Sequence, residues 1–177
     1  MRLFFALLAL AANIATIGIA VIGFAGRTGP SGYALRERVF GAFRGLELWL
    51  GFGVAATAML GSLYLSEIVH LVPCTYCWYQ RIAMYPLVLL LGIAAWRKDQ
   101  DIRIYAAALS MVGAVIAFYH RIVQAFPEMN GSACSSGVPC TAAYFTLFGF
   151  VTIPYMALSG FLLILALLYV DRTNSAA

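Results

Sequence analysis

Charge is scarce in this sequence. Asp, Glu, Lys and Arg make up 10% of its 177 residues, against roughly 25% in soluble domains. Hydrophobic residues make up 63%. That balance excludes an ordinary soluble protein. The net charge of +4 does not point to nucleic acid, because the basic residues stand at the ends of apolar segments, where they act as orientation signals. Cofactor motifs are missing too. The chain has no haem-type Cys-x-x-Cys-His, no dinucleotide-type Gly-x-Gly-x-x-Gly and only two histidines, so metal-ligand candidates are few. Sequence repeats and low-complexity tracts are absent. Cysteine is rare but even in number, at four. In a small membrane protein that count is compatible with a disulfide-permissive compartment on one side.

What is present is apolar sequence in five runs, over residues 3–24, 46–71, 78–96, 104–126 and 148–170. Each is close to the roughly 20 residues needed to cross hydrocarbon. The expected fold is all-α: a polytopic membrane protein with a four-helix transmembrane bundle and one extra N-terminal transmembrane helix. Residues 1–45 are read as that helix, broken only by Asn13 and Thr16, plus a basic connector in which 33–43 forms a short surface helix. Residues 46–177 are read as the bundle. Within it Gly53, Thr57 and Gly61 recur every four residues, a stripe that lets another helix approach. Pro86 predicts a kink in the third span, residues 97–103 a tight charged turn, 127–147 a polar loop, and 171–177 a short tail.

Lys and Arg set the orientation. Arg27, Arg36, Arg38, Arg44, Arg97, Lys98, Arg103 and Arg172 share one side, and Arg2, Arg81 and Arg121 the other. The richer side is expected to be cytoplasmic. That puts the N-terminus and all four cysteines outside and the C-terminus inside. A cleaved signal peptide is the alternative for the first run. It is disfavoured because its apolar core is long and because cleavage would strand the Arg-rich connector outside.

Chemistry is concentrated in Pro73-Cys74-Thr75-Tyr76-Cys77-Trp78-Tyr79-Gln80-Arg81, where one span ends and the next begins. A lone Cys-x-x-Cys is shared by zinc sites and thiol redox enzymes. A four-cysteine zinc site with Cys134 and Cys140 is one reading, although the spacing of that second pair is wide for structural zinc. Two static disulfides are another, but the small Cys74–Cys77 loop makes a poor staple. Redox chemistry is favoured. Cys77 falls in the first turn of a helix, where the dipole and the cation Arg81, one turn deeper, support a thiolate. Cys134 and Cys140 lie in a Gly- and Ser-rich segment whose expected mobility suits thiol–disulfide exchange. Arg81 is either an interfacial anchor or a group that polarises an acceptor, and His120 lies at the same outer depth. Glu67 and His70 are expected to pair locally, and Trp78, Tyr79 and Tyr119 to form an interfacial aromatic belt. Oxidising a dithiol releases two electrons and two protons. With no other cofactor motif, a lipid-soluble quinone beside Cys77 is the economical acceptor.

The stretch from Cys74 to Leu87, with Tyr119-His120 and the Cys134…Val138-Pro139-Cys140 loop, resembles the disulfide bond formation protein B family, DsbB, whose Gram-positive branch is BdbC. The resemblance covers roughly residues 46–170. It implies a four-helix membrane enzyme that reoxidises an extracytoplasmic thioredoxin-fold oxidase of the DsbA/BdbD kind and passes electrons to ubiquinone or menaquinone. It also implies roles. Cys134 forms the mixed disulfide with the partner, Cys140 exchanges with Cys74, Cys77 meets the quinone, and Arg81 and His120 bind it. The short Cys134–Cys140 spacing looks like the BdbC branch and favours menaquinone. The extra N-terminal helix has no counterpart in the four-helix pattern. A second resemblance, to vitamin K epoxide reductase homologues, fits less well, because those place the inner pair at the end of a helix. A rival of another class is a disulfide-stapled membrane scaffold.

Overall fold

The computed structural model describes residues 2–99, 101–129, 134 and 138–176. Among these the chain is helical throughout, apart from loops and one isolated antiparallel bridge, Leu147–Val151. The helices are α1 (Arg2–Ala25), α2 (Pro30–Gly41), α3 (Glu47–Leu63, continued by a π-helical turn Tyr64–Ile68), α4 (Thr75–Arg97), α5 (Arg103–Ala125) and α6 (Ile153–Ala176). Five of them, all but α2, are long and apolar enough to cross a membrane. The protein is an all-α polytopic membrane bundle.

α3, α4, α5 and α6 form a ring in which each packs on the next and α6 closes on α3. Their shared core is built from alternating small and large side chains. Ala55, Ala83, Ala94, Ala106, Ala114 and Ala117 let the helices approach, and Leu87, Leu91, Phe161 and Ile164 fill the space between them. The outward faces are apolar as well, with Leu89, Ile93, Val115 and Phe118 all exposed. This arrangement suits lipid as the surrounding solvent. The tightest glycine approach within this ring is at Gly113 of α5, where a Cβ would stand 2.3 Å from the ring of the fully buried Phe161. Gly113→Val is therefore expected to cost about 1–3 kcal/mol through overpacking, read as a lower Tm in detergent.

α1 stands outside this ring, leaning on α6. Asn13 fixes it there, its Nδ2 donating to Tyr155 Oη at 2.8 Å and to Ser159 Oγ at 3.0 Å. The polar residue that interrupts the first apolar run is thus an interhelical bond. The Gly53–Thr57–Gly61 stripe does only part of what its spacing predicts. Gly61 receives Phe5 of α1, but a Cβ at Gly53 would meet nothing within 4 Å.

Several boundaries differ from expectation. The short surface helix spans Pro30–Gly41 rather than 33–43, and it buries Phe40 edge-on against Tyr169 of α6. The fifth span begins at Ile153, not at 148. Phe148 and Gly149 both take positive φ to turn the Leu147–Val151 bridge, and Pro154 then sits in the first turn of the helix. Residues 171–176, read as a tail, continue α6. Asp171 accepts from Arg103 at 3.2 Å, and Asn174 donates to the Phe40 carbonyl and to the buried Glu47. These bonds tie the ends of α2, α3, α5 and α6 together at the side of the bundle away from the cysteines. Glu67 accepts the Ser66 hydroxyl at 2.9 Å instead of pairing with His70. Residues 131–133 and 135–137, read as a mobile segment, lie outside the described residues.

Candidate active site

The N-terminal end of α4 and the C-terminal end of α5 assemble the site. Cys74 is the N-cap of α4, and its sulfur accepts the backbone N–H of Cys77 at 3.4 Å. The first helical turn brings the two sulfurs within 2.7 Å of each other. Both cysteines are free, while Cys134 and Cys140 are joined in a disulfide with Cα atoms 5.9 Å apart. The two pairs share one cluster with Tyr76, Val123 and Val138. Cys134 is 6% exposed and Cys140 fully buried.

His120, in the last turns of α5 and 1% exposed, stands between the pairs. Its Nε2 lies 3.7 Å from Cys74 Sγ and 3.2 Å from the Cys140 carbonyl oxygen. Its Nδ1 lies 3.0 Å from Gln80 Nε2. With the Gln80 amide so oriented, its N–H donates to Nδ1. Nε2 then carries the ring proton and donates toward Cys74 and Cys140. The structure thus sets His120 at the junction of the two cysteine pairs, where it lines a small pocket with Cys74 and Cys77. Tyr76 buttresses the imidazole, ring centroids 5.5 Å apart, and itself rests edge-on against Tyr119. Trp78 and Tyr79 are exposed, as a belt requires, and Tyr76 is the buried member of the group.

The Cys74 thiol is held well below the ordinary thiol range. The main cause is the hydrogen bond from Cys77, and His120 adds to it against the opposing effect of burial. The helix N-terminus acts in the same direction. The sulfur best placed to be a thiolate at rest is therefore Cys74, where the sequence pointed to Cys77. Tyr144, from the loop before α6, is pushed the other way, chiefly by burial and then by the two sulfurs. Its protonated hydroxyl donates to the Val72 carbonyl and straps the loop over the pair.

Arg81 does not turn its donors onto Cys77. Nε donates to Ser62 Oγ at 2.8 Å and Nη2 to the Ser62 carbonyl at 3.0 Å, while the guanidinium stacks 5.2 Å from the Trp78 ring centre. These contacts hold it rigid at the outer end of a cavity of about 750 Å³. Cys77, Gln80 and Arg81 of α4, Ser62 of α3 and Tyr144 line that end. The volume is in the range of small-molecule sites. Cys77 thus faces the cavity and Cys74 faces His120. Cys74, Cys77 and His120 place three ligand atoms within 4.8 Å of one another. Cys134 and Cys140 are bonded to each other and cannot complete a four-thiolate zinc set. The sequence reading missed Gln80, Ser62 and Tyr144. For Gln80 a signal existed, since an amide inside an apolar span needs a partner.

The family profile described as disulfide bond formation protein DsbB matches residues 45–170. The chain is 49% identical over 119 residues to the disulfide bond formation protein C of Bacillus subtilis (strain 168), covering 67% of this chain and 86% of that one. It is 46% identical over 129 residues to a probable disulfide formation protein C 2 of Bacillus anthracis, covering 73% and 92%. No solved structure matches significantly. α1 and α2 lie outside the matched region, which contains both cysteine pairs, His120, Gln80 and Arg81. The chain belongs to the disulfide bond formation protein B family, membrane oxidoreductases that support disulfide bond formation.

Proposed function

We propose that the protein is a thiol:quinone oxidoreductase that reoxidises an extracytoplasmic thioredoxin-fold dithiol oxidase of the DsbA/BdbD kind. One observation carries this reading. The inner pair has two faces: Cys74 touches His120, which also holds the Cys140 backbone, while Cys77 faces the intramembrane cavity beside Arg81. Electrons entering at one face can leave at the other.

The bookkeeping closes. A donor thiolate attacks Cys134, and Cys140 leaves as thiolate. The second donor thiol resolves the mixed disulfide, so the donor is oxidised and Cys134/Cys140 is reduced. Cys140 then attacks Cys74 of an oxidised Cys74–Cys77 bond, Cys77 leaves, and Cys134 resolves to restore its own disulfide. Cys77 finally delivers the electron pair to the quinone. Two electrons and two protons yield the quinol, and the Cys74–Cys77 disulfide re-forms. The His120 Nε2–H supports the Cys74 thiolate and fixes the Cys140 main chain beside it. Because Cys134 is 6% exposed, donor attack requires its sulfur to become accessible. The short spacing of the outer pair favours menaquinone over ubiquinone. The Lys and Arg distribution supports extracytoplasmic cysteines and a cytoplasmic C-terminus in the inner membrane.

The test is quinone reduction by purified protein, followed by ultraviolet absorbance, with a reduced thioredoxin-fold oxidase as donor. Steady turnover is expected with menaquinone, ubiquinone or both. Folded protein that reduces neither overturns the reading and leaves a disulfide-stapled membrane scaffold.

A further inference from the structure

The cavity is larger and deeper than a reacting ring at Cys77 needs. On α3 its wall runs from Ser62 at the outer end to Trp49 near the inner end, about 20 Å at the helical rise. Its charged and reactive lining gathers at the top, with Cys77, Gln80, Arg81 and Ser62, while lower down Ala12, Ala15, Gly53, Val54 and Leu163 line it, with Thr57 and Tyr85 as the polar exceptions. That distribution matches an amphiphile with a polar ring above and a long apolar chain below. The far wall is α1, which lies outside the region matched to the family. α1 is pinned to α6 by Asn13 and to the outer loop by Arg2, stacked 5.3 Å from the Phe145 ring centre. Toward α3 it stands off. Phe5 bridges to Gly61 at the outer end, where a Cβ would come within 2.8 Å of its ring, and the space beneath stays open down to Gly53.

We propose that α1 turns the acceptor site into a channel for the isoprenoid chain of the quinone, and that the small residues of α1 and α3 lining it determine selectivity for long-chain acceptors. This rests on the thiol:quinone reading. The channel holds the chain between α1 and α3, with Phe5 on Gly61 as its outer roof, so the ring is positioned at Cys77 by burial of its tail.

Gly53→Phe and Ala12→Phe, made separately in the full chain, test it from opposite walls. At Gly53 the new side chain enters open space and replaces a poor helix former, so the Tm should not fall. The probes are a long-chain menaquinone and a tail-less or single-isoprene quinone, with the same reduced oxidase as donor. Both variants are expected to raise KM for the long-chain quinone roughly tenfold through lost chain burial. KM for the short one should stay within about twofold. Equal effects on both quinones, or on neither, would overturn the channel while leaving quinone reduction intact. So would a wild-type protein that does not distinguish the two, or whose cavity holds phospholipid that quinone does not displace. A wild-type protein that reduces neither quinone removes the parent reading and the channel with it.

Discussion

Cys77→Ser is expected to stop quinone reduction, by about 10⁴-fold or more, since removing a covalent catalytic group typically costs that much. Serine keeps the N-cap geometry, because the backbone N–H of Cys77 still bonds to Cys74, and its hydroxyl can replace the Cys77 thiol as donor to the Cys74 sulfur. What is lost is the sulfur that faces the cavity and with it the inner disulfide. The outer disulfide remains. The variant should therefore oxidise about one equivalent of donor dithiol and then stall. A burst of donor oxidation without quinone bleaching, followed by mass spectrometry of the trapped thiols, reads this directly. Continued turnover in the variant would show that electrons leave by a route other than Cys77.

His120→Ala has the second largest expected effect. The imidazole donates toward Cys74 and the Cys140 carbonyl and accepts from Gln80. Truncation removes one support of the Cys74 thiolate and leaves two buried polar groups without their partner. Hydrogen bonds to charged groups are worth about 1.5–3 kcal/mol, or roughly a 10–100-fold change in equilibrium. The sign follows from the depressed Cys74 thiol. Thiolate stabilisation favours the reduced inner pair, fully above the ordinary thiol range, and fades as pH falls through the depressed value. Losing part of it makes the inner disulfide a weaker oxidant of Cys134/Cys140. Against a glutathione buffer the inner pair should shift roughly 10–100-fold toward disulfide, and the pH midpoint for alkylation of Cys74 should rise. His120→Gln, which retains an N–H donor, should recover part of both. An unchanged midpoint in His120→Ala would assign the low thiol value to Cys77 and the helix terminus alone.

The spans were legible because a bilayer leaves little choice: each crossing must be helical and apolar. The Cys-x-x-Cys, Arg81 and the outer pair were legible from residue type and place. The helix ends were not. Residues from Asp171 to Ser175 look like a tail until Arg103, Glu47 and the Phe40 carbonyl appear as their partners, and those contacts are far apart in sequence. The depth of His120 was readable, but its neighbour was not. Nothing local indicates that one ring edge faces Cys74 while the other takes the Gln80 amide. The part played by α1 was equally hidden. Asn13 and a run of alanines in an apolar stretch carry no sign of which helix they will face or at what distance.

All four sulfurs, His120 and Arg81 sit at the same end of the bundle, and the only charged group among the described residues lining the cavity, Arg81, is there. In electrical terms the reaction is then short-circuited at one membrane face. On the thiol:quinone reading, electrons that enter at the cysteines and leave at Cys77 do not cross the thickness of the bilayer. Moving one charge across costs about 2.3 kcal/mol per 100 mV, and a reaction confined to that end would move none. Such a reaction would draw its work wholly from the potential gap between dithiol and quinone. Turnover should therefore proceed at the same rate in an energised cell and a de-energised one, and disulfide formation outlasts the collapse of the membrane potential for as long as oxidised quinone remains.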